Sequence, residues 1–273
     1  MEDIMGFAVD TMKLCLDNPE RFRIVCREEE TSTNTAVKEK AREGEEEGYL
    51  LIAERQTAGR GRLGRTFESP EQTGLYMSLL LRPDCEPKKA LHITTAAAVA
   101  VAEAIRELTG RKAEIKWVND VYVDGRKVCG ILTESALDAG SGRMAYAVLG
   151  IGVNVTEPKE GFARTIAHIA GALYDFGQEP EAFREKLAAE ICNRFLALYP
   201  DMHSVRLAER YRALFDCFRK EAKKGYLKDV VLWGISDRFT WKNNFPAPGR
   251  TDAPLLFDTG CRPKPAFDAL VRN

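Results

Sequence analysis

Apolar residues recur along this chain in short blocks, and their spacing changes from block to block. Tyr49-Leu50-Leu51-Ile52-Ala53 and Leu75 to Leu81 are continuous apolar runs bounded by polar or glycine-rich segments, the pattern of buried strands. A shorter strand is expected around Phe22-Arg23-Ile24-Val25, after a weakly amphipathic helix. Residues 88–109 are alanine-rich and stop at Gly110, which predicts a long helix. Ile115 to Val123, Lys127 to Glu134 and Met144 to Val155 read as three strands, with turns at Asp124-Gly125 and from Asp138 to Gly142. Further helices are predicted near 35–42, near 164–175, and from Glu181 to Leu198, between Pro180 and Pro200. Strands in hairpin succession flanked by helices predict an α+β fold with a mixed, largely antiparallel sheet, not the regular alternation of a parallel one.

Two polar stretches interrupt the pattern. Thr31-Ser32-Thr33-Asn34 lies ahead of the charged helix, where hydroxyl and amide oxygens accept free backbone N–H groups, so capping is its expected role. The second stretch runs from Arg55 to Arg65 and holds four arginines and three glycines. Glycine lets backbone approach a ligand closely, and arginine brings a planar fork of donors. The chain carries 40 basic and 41 acidic residues, a net charge of −1, so it lacks the overall basicity of a general polyanion binder. A loop dedicated to one small anion, a phosphate or a carboxylate, is the better fit.

Composition narrows the setting. No apolar run approaches the ~20 residues of a membrane span. The acidic start, Met1-Glu2-Asp3-Ile4, lacks the pattern of a secretory signal, so a cytoplasmic location is expected. The seven cysteines include no CxxC pair, which argues against zinc and for reduced, mostly buried thiols. Cys129, between apolar neighbours, is expected to pack, and His92 to be structural.

Four more elements bear on chemistry: Ser32-Thr33-Asn34, Lys116-Trp117-Val118-Asn119-Asp120, Arg126 to Leu132, and Gly150-Ile151-Gly152-Val153-Asn154. Glycines within a strand often mark the close approach of a ligand or of other backbone. Together with the Gln56 to Gly64 loop, these five motifs, in order over residues 20–200, resemble the catalytic domain of biotin protein ligases, a fold like that of class II aminoacyl-tRNA synthetases.

The resemblance implies a reaction in two steps: biotin and MgATP give biotinyl-5′-adenylate, and the acyl group then passes to a lysine of a biotin carboxyl carrier protein. It implies catalytic roles for Arg62, Lys127 and Asp120. Biotin contacts would come from Ser32, Thr33, Gln56, Gly59, Arg60, Lys127 and Gly130. Nucleotide contacts would come from Arg60, Arg62, Phe67, Lys116, Trp117, Asn119, Asp120 and Asn154, with Asp120 also the ligand for Mg²⁺. Phe67 stands where many members carry tryptophan, and Val118 where proline is common. Lipoate ligases are the nearest rival, and the arginine loop together with the KWxND motif favours biotin. Too few residues precede position 20 for a DNA-binding helix-turn-helix domain, so neither DNA nor membrane is an expected partner.

From about Val205 the chain resembles the end of family 10 glycoside hydrolases, on stretches that include Val231 to Asp237, Thr240-Trp241 and Pro254 to Asp258. The expected division is a ligase catalytic domain over 1–204 and a xylanase-like fragment over 205–273, poorly packed beyond about 220. In the hydrolase family Trp233 and Trp241 would line a sugar cleft; here they are expected to act as hydrophobic filler. The alternative functions are an impaired biotin-binding chimera and a glycoside hydrolase remnant.

Overall fold

The computed structural model describes residues 6–83, 85, 90–138 and 140–199. The expectations for 205–273, Trp233 and Trp241 included, lie outside the described residues.

Seven strands form one sheet. They are β1 Arg23–Glu30, β2 Tyr49–Gln56, β3 Gly74–Leu81, β4 Ala113–Lys116, β5 Asp120–Val123, β6 Arg126–Leu137 and β7 Met144–Asn154, in the order β1-β2-β3-β7-β6-β5-β4. Among these seven described strands the β1–β2 pair alone is parallel. The α-helices among the described residues are α1 Val9–Leu14, α2 Thr33–Arg42, α3 Ala90–Thr109 and α4 Phe183–Leu198. The expected α+β class with a mixed, largely antiparallel sheet is the one observed.

Side chains alternate across a strand, so each strand serves two layers. On β3, Leu75, Met77, Leu79 and Leu81 join the main core, with Ile93, Val101 and Ile105 of α3 and Leu187, Ile191 and Phe195 of α4. Leu80 of the same strand joins Val37 and Ala41 of α2, with Leu51, Tyr146 and Val148, in a smaller cluster on the other side. Because every residue of β3 is buried, its apolar run shows no alternation. The side covered by α2 carries the candidate site. No helix among the described residues is long and apolar enough to cross a membrane.

Three local expectations are corrected. Ile115 to Val123 is not one strand: Lys116 pairs with Asp120, and Trp117, Val118 and Asn119 make the hairpin turn between β4 and β5. Trp117 and Val118 look strand-like because they are apolar, yet Val118 is buried and Trp117 packs on the core from within the turn.

The helix near 164–175 is absent, and the segment makes single turns. Carbonyls that a helix would use internally are taken by β6. Lys127 N–H donates to Ile169 O at 2.8 Å, and Arg126 donates to Ala167 O at 2.6 Å.

Ser32 occupies the N-cap of α2 with extended backbone, but its side chain makes no capping bond. Gln56 supplies the acceptor instead: its Oε1 receives the Thr33 N–H at 2.8 Å. Among the described thiols, Cys85, Cys129 and Cys192 are buried as expected, Cys26 is half-buried and Cys15 is exposed.

Candidate active site

The floor of the site is a row of residues facing one another across five strands: Ala53, Tyr76, Gly152, Gly130 and Asp120. Glycine is required at two positions on β7. A Cβ on Gly152 would come within 2.6 Å of the Phe67 ring, and one on Gly150 within 2.0 Å of Asn34 Oδ1. Both are impossible contacts, so the missing side chains are what let the aromatic ring and the amide lie directly on the sheet. Phe67 also meets Tyr76 edge to face, with ring centroids 6.4 Å apart.

Residues 57–69 leave β2 and return to it as a strap over this floor. Gln56 N–H donates to Ser69 O, Phe67 N–H to Gly59 O and Gly61 N–H to Arg65 O, at 3.1, 2.9 and 2.7 Å. Leu63, at the outer bend, has φ of +57° and is 72% exposed. Two arginines fasten the strap at separate points. Arg62 donates to Asn119 Oδ1 at 3.0 Å, and Arg60 to Glu134 Oε2 at 3.0 Å.

Around the first point lies a small charged group. Asp120 Oδ1 accepts from Asn119 Nδ2 at 2.9 Å and lies 2.7 Å from Lys127 Nζ. Burial lowers the pKa of Arg62, and the nearby Asp120 charge works against that shift. Two cations, Lys127 paired with Asp120 and Arg62 held by Asn119, thus lie near one carboxylate, which leaves a positive balance at the edge of the glycine floor.

Lys127 reaches this place because β6 bulges. Val121 pairs with Cys129, but the next residue, Tyr122, pairs with Lys127, so Val128 is an extra residue. Val128 and Cys129 consequently both enter the main core, and Lys127 emerges on the same side as Gly130. Without the bulge, Lys127 would point away from Asp120. Burial pushes the pKa of the Cys129 thiol well up, which suits a packing role.

The second point is a hydrogen-bonded cluster under α2. Gln56 Oε1 accepts from the backbone and the hydroxyl of Thr33, and Gln56 Nε2 donates to Ser69 Oγ at 2.8 Å. Ser78 Oγ lies 2.8 Å from Thr33 Oγ1 and 2.6 Å from Asn34 Oδ1. Glu134 accepts from Lys38 at 2.9 Å, from Asn34 at 3.1 Å and from Arg60. Burial alone would raise the Glu134 pKa, but Lys38, Asn34 and Arg60 outweigh it and hold the carboxyl below its ordinary value.

The expected residues thus fall into groups. Arg62, Asn119, Asp120 and Lys127 form one network, next to Gly130 and Phe67. Ser32, Thr33, Gln56 and Gly59 gather at the root of the strap. Of the others, Lys116 is over the Tyr122 ring at 5.6 Å, Trp117 packs on the core, and Asn154 donates to Gly171 O at 2.9 Å. Lys38, Ser69, Ser78 and Glu134 were not anticipated as site residues, and Asn34, part of the Ser32-Thr33-Asn34 element, was given no contact of its own. Ser78 had a signal, as the one serine in an otherwise apolar and aromatic strand, and Lys38 follows Asn34 at helical spacing. Glu134 had none, since its partners come from residues 34, 38 and 60. No group of three or more His, Cys, Asp or Glu side chains is placed to hold a metal among the described residues.

Comparison with known proteins accords with this geometry. Residues 26–154 match the model of the biotin/lipoate A/B protein ligase family, and residues 190–273 match that of glycosyl hydrolase family 10. The bifunctional ligase/repressor BirA of Bacillus subtilis is 41% identical over 143 residues, which cover 52% of this chain and 43% of that protein. The chain therefore spans less than half the length of that curated relative. The structure of biotin protein ligase from Aquifex aeolicus in complex with biotin and ATP is 28% identical with a TM-score of 0.56, covering 70% of this chain and 76% of that one. The C-terminal part is similar to endo-1,4-beta-xylanase C of Paenibacillus barcinonensis, 53% identical over 64 residues, which are 23% of this chain and 6% of that protein.

Proposed function

We propose, for a chain whose residues 26–154 match the model of the biotin/lipoate A/B protein ligase family, an ATP-dependent ligase that activates biotin as its adenylate and transfers it to a carrier lysine. The observation that carries this reading is the gathering of two cations at the edge of the glycine floor: Arg62, held by Asn119, and Lys127, paired with the adjacent Asp120. In the first step a biotin carboxylate oxygen attacks the α-phosphorus of ATP, and the bond to the departing pyrophosphate breaks. Two anions must be brought together, so positioning and charge neutralisation do most of the work. Arg62 and Lys127 supply that field. In the second step the amine of a lysine on a biotin carboxyl carrier protein attacks the acyl carbon, loses a proton, and AMP leaves.

The biotin ureido ring offers one acceptor and two donors, and it needs a matching mixed lining. Ser32, Thr33 and Gln56 provide this, with backbone at Gly59 and Gly130 and the neighbouring Arg60. Phe67, Lys116, Trp117, Asn119 and Asn154 are assigned to the nucleotide. A magnesium ion carried with the triphosphate fits Asp120: both contacts described above fall on Oδ1, and Mg²⁺ needs few protein carboxylates beside phosphate oxygens. The ion would add charge neutralisation at the phosphates. The reading places the protein in the cytoplasm and divides it into a ligase domain over 1–204 and a xylanase-like fragment over 205–273.

The test is to incubate the full chain with ATP, labelled biotin and a carrier domain. Biotinyl adenylate and labelled carrier are expected. Biotin bound without either product would replace the ligase with a binding protein. Hydrolysis of xylan would instead favour the hydrolase reading of the tail.

A further inference from the structure

Glu134 stands outside the roles assigned above, yet it joins the two elements that enclose the site. It sits on β6, beyond Leu132, which pairs with Gly150. Its two carboxylate oxygens are divided. Oε1 is held by Lys38 of α2, while Oε2 accepts from Arg60 of the strap and from Asn34 of α2. The side chains of Lys38 and Glu134 are 21% and 20% exposed, against 44% for Arg60. The anchor is thus partly withdrawn from water and fixed by the helix, while the arginine that meets it comes from the more exposed strap.

We propose that Glu134 is a positioning residue: it seats Arg60, and through it the near half of the strap, before any ligand arrives. The proposal rests on the adenylation reading above, in which Arg60 serves biotin and nucleotide. Arg62 and Asn119 fasten the strap at the far side, so the two arginines stretch it over the Phe67 ring and the glycines beneath. Lys38 has a separate duty. It neutralises the carboxylate from behind and fixes the direction in which Oε2 faces. Arg60 must come to that oxygen, because the oxygen is not free to follow it.

The seat can be tested in ligand-free full-length protein by mass spectrometry of tryptic cleavage after Arg62 and Arg65. Glu134→Gln is expected to speed this cleavage roughly tenfold, the scale of losing a charge-assisted hydrogen bond. Glu134→Asp should restore part of the protection. Glu134→Gln combined with Arg60→Gln should cleave no faster than Arg60→Gln alone. Unchanged cleavage in Glu134→Gln overturns the proposal, as does coupling of Glu134 to Lys38 but not to Arg60. Should Glu134→Gln fail to fold, Arg60→Gln alone decides: protection equal to wild type overturns the seat. In adenylate formation, Glu134→Gln should raise the biotin KM about tenfold with kcat changed less than about twofold. An equal fall in kcat with KM unmoved would overturn the link to ligand binding. If wild type forms no adenylate, the functional reading fails while the cleavage experiment still judges Glu134.

Discussion

Lys127 Nζ lies 2.7 Å from Asp120 Oδ1, although strict alternation along β6 would turn the two side chains to opposite faces of the sheet. The extra residue at Val128 brings them together. A cation is thereby carried by the rigid sheet, while the second cation, Arg62, arrives on the strap.

Lys127→Ala and Arg62→Ala are each expected to lower the rate of adenylate formation by roughly a hundredfold to a thousandfold, the usual cost of removing one group that stabilises developing charge. Thermal melting should move little, because partly exposed ion pairs contribute about 0–1 kcal/mol. Pyrophosphate release at the wild-type rate from both variants would remove these residues from the chemistry.

Gly152→Ala should damage the floor itself. The new methyl group would meet the Phe67 ring at 2.6 Å, and the ring would have to leave its seat. A loss of about 1–3 kcal/mol is expected, typical of overpacking. Chemical denaturation measures that loss, and calorimetry with biotin should show weakened binding. A variant as stable as wild type, with the same affinity, would contradict the described contact.

The Glu134 carboxyl makes a contribution to stability whose pH dependence has a definite sign. Its pKa in the folded protein is lower than the ordinary 4.5, so the unfolded chain takes up the proton first as pH falls. The stabilisation is complete above about 4.5 and is lost as pH drops through the lower folded value. Unfolding free energies of wild type and Glu134→Gln should differ by a constant amount near neutral pH and converge in acid. A gap that widens in acid would refute the assignment.

Thiol labelling should follow burial. Cys15 is exposed and should react with iodoacetamide in the native protein. Cys129 and Cys192 are fully enclosed, and burial pushes the Cys192 pKa up to about 12. Both should react only after unfolding. Rapid native labelling of Cys129 would show that the β6 bulge opens readily.

Much of this arrangement was legible in the sequence because it is local. The apolar runs of β2 and β3, the alanine-rich α3 and the turn at Asp124-Gly125 each carry their own signal. The motifs likewise led to Arg62, Asn119, Asp120 and Lys127 as site residues, though not to the contacts that join them. What escaped depends on partners distant in the chain. Ser32 looked like a cap, but the Thr33 N–H is satisfied by Gln56, 23 residues away. The segment near 164–175 has helical composition, but Arg126 and Lys127 hold its carbonyls to β6. Trp117 and Val118 were read as strand from apolarity alone, which cannot distinguish an extended segment from a turn folded onto the core.

The two walls of the site differ in how they are held. The glycine floor lies on β7 and β6, which are hydrogen-bonded to neighbours on both sides, whereas the strap is joined by backbone at its roots, to β2, Glu30 and Thr31, and fastened further out by the side chains of Arg60 and Arg62. Compliance is therefore one-sided. A molecule entering this space meets a wall that cannot yield and a cover that can. Any volume it needs is made by lifting the arginines, so each entry or exit must first exchange protein-held cations for its own charge.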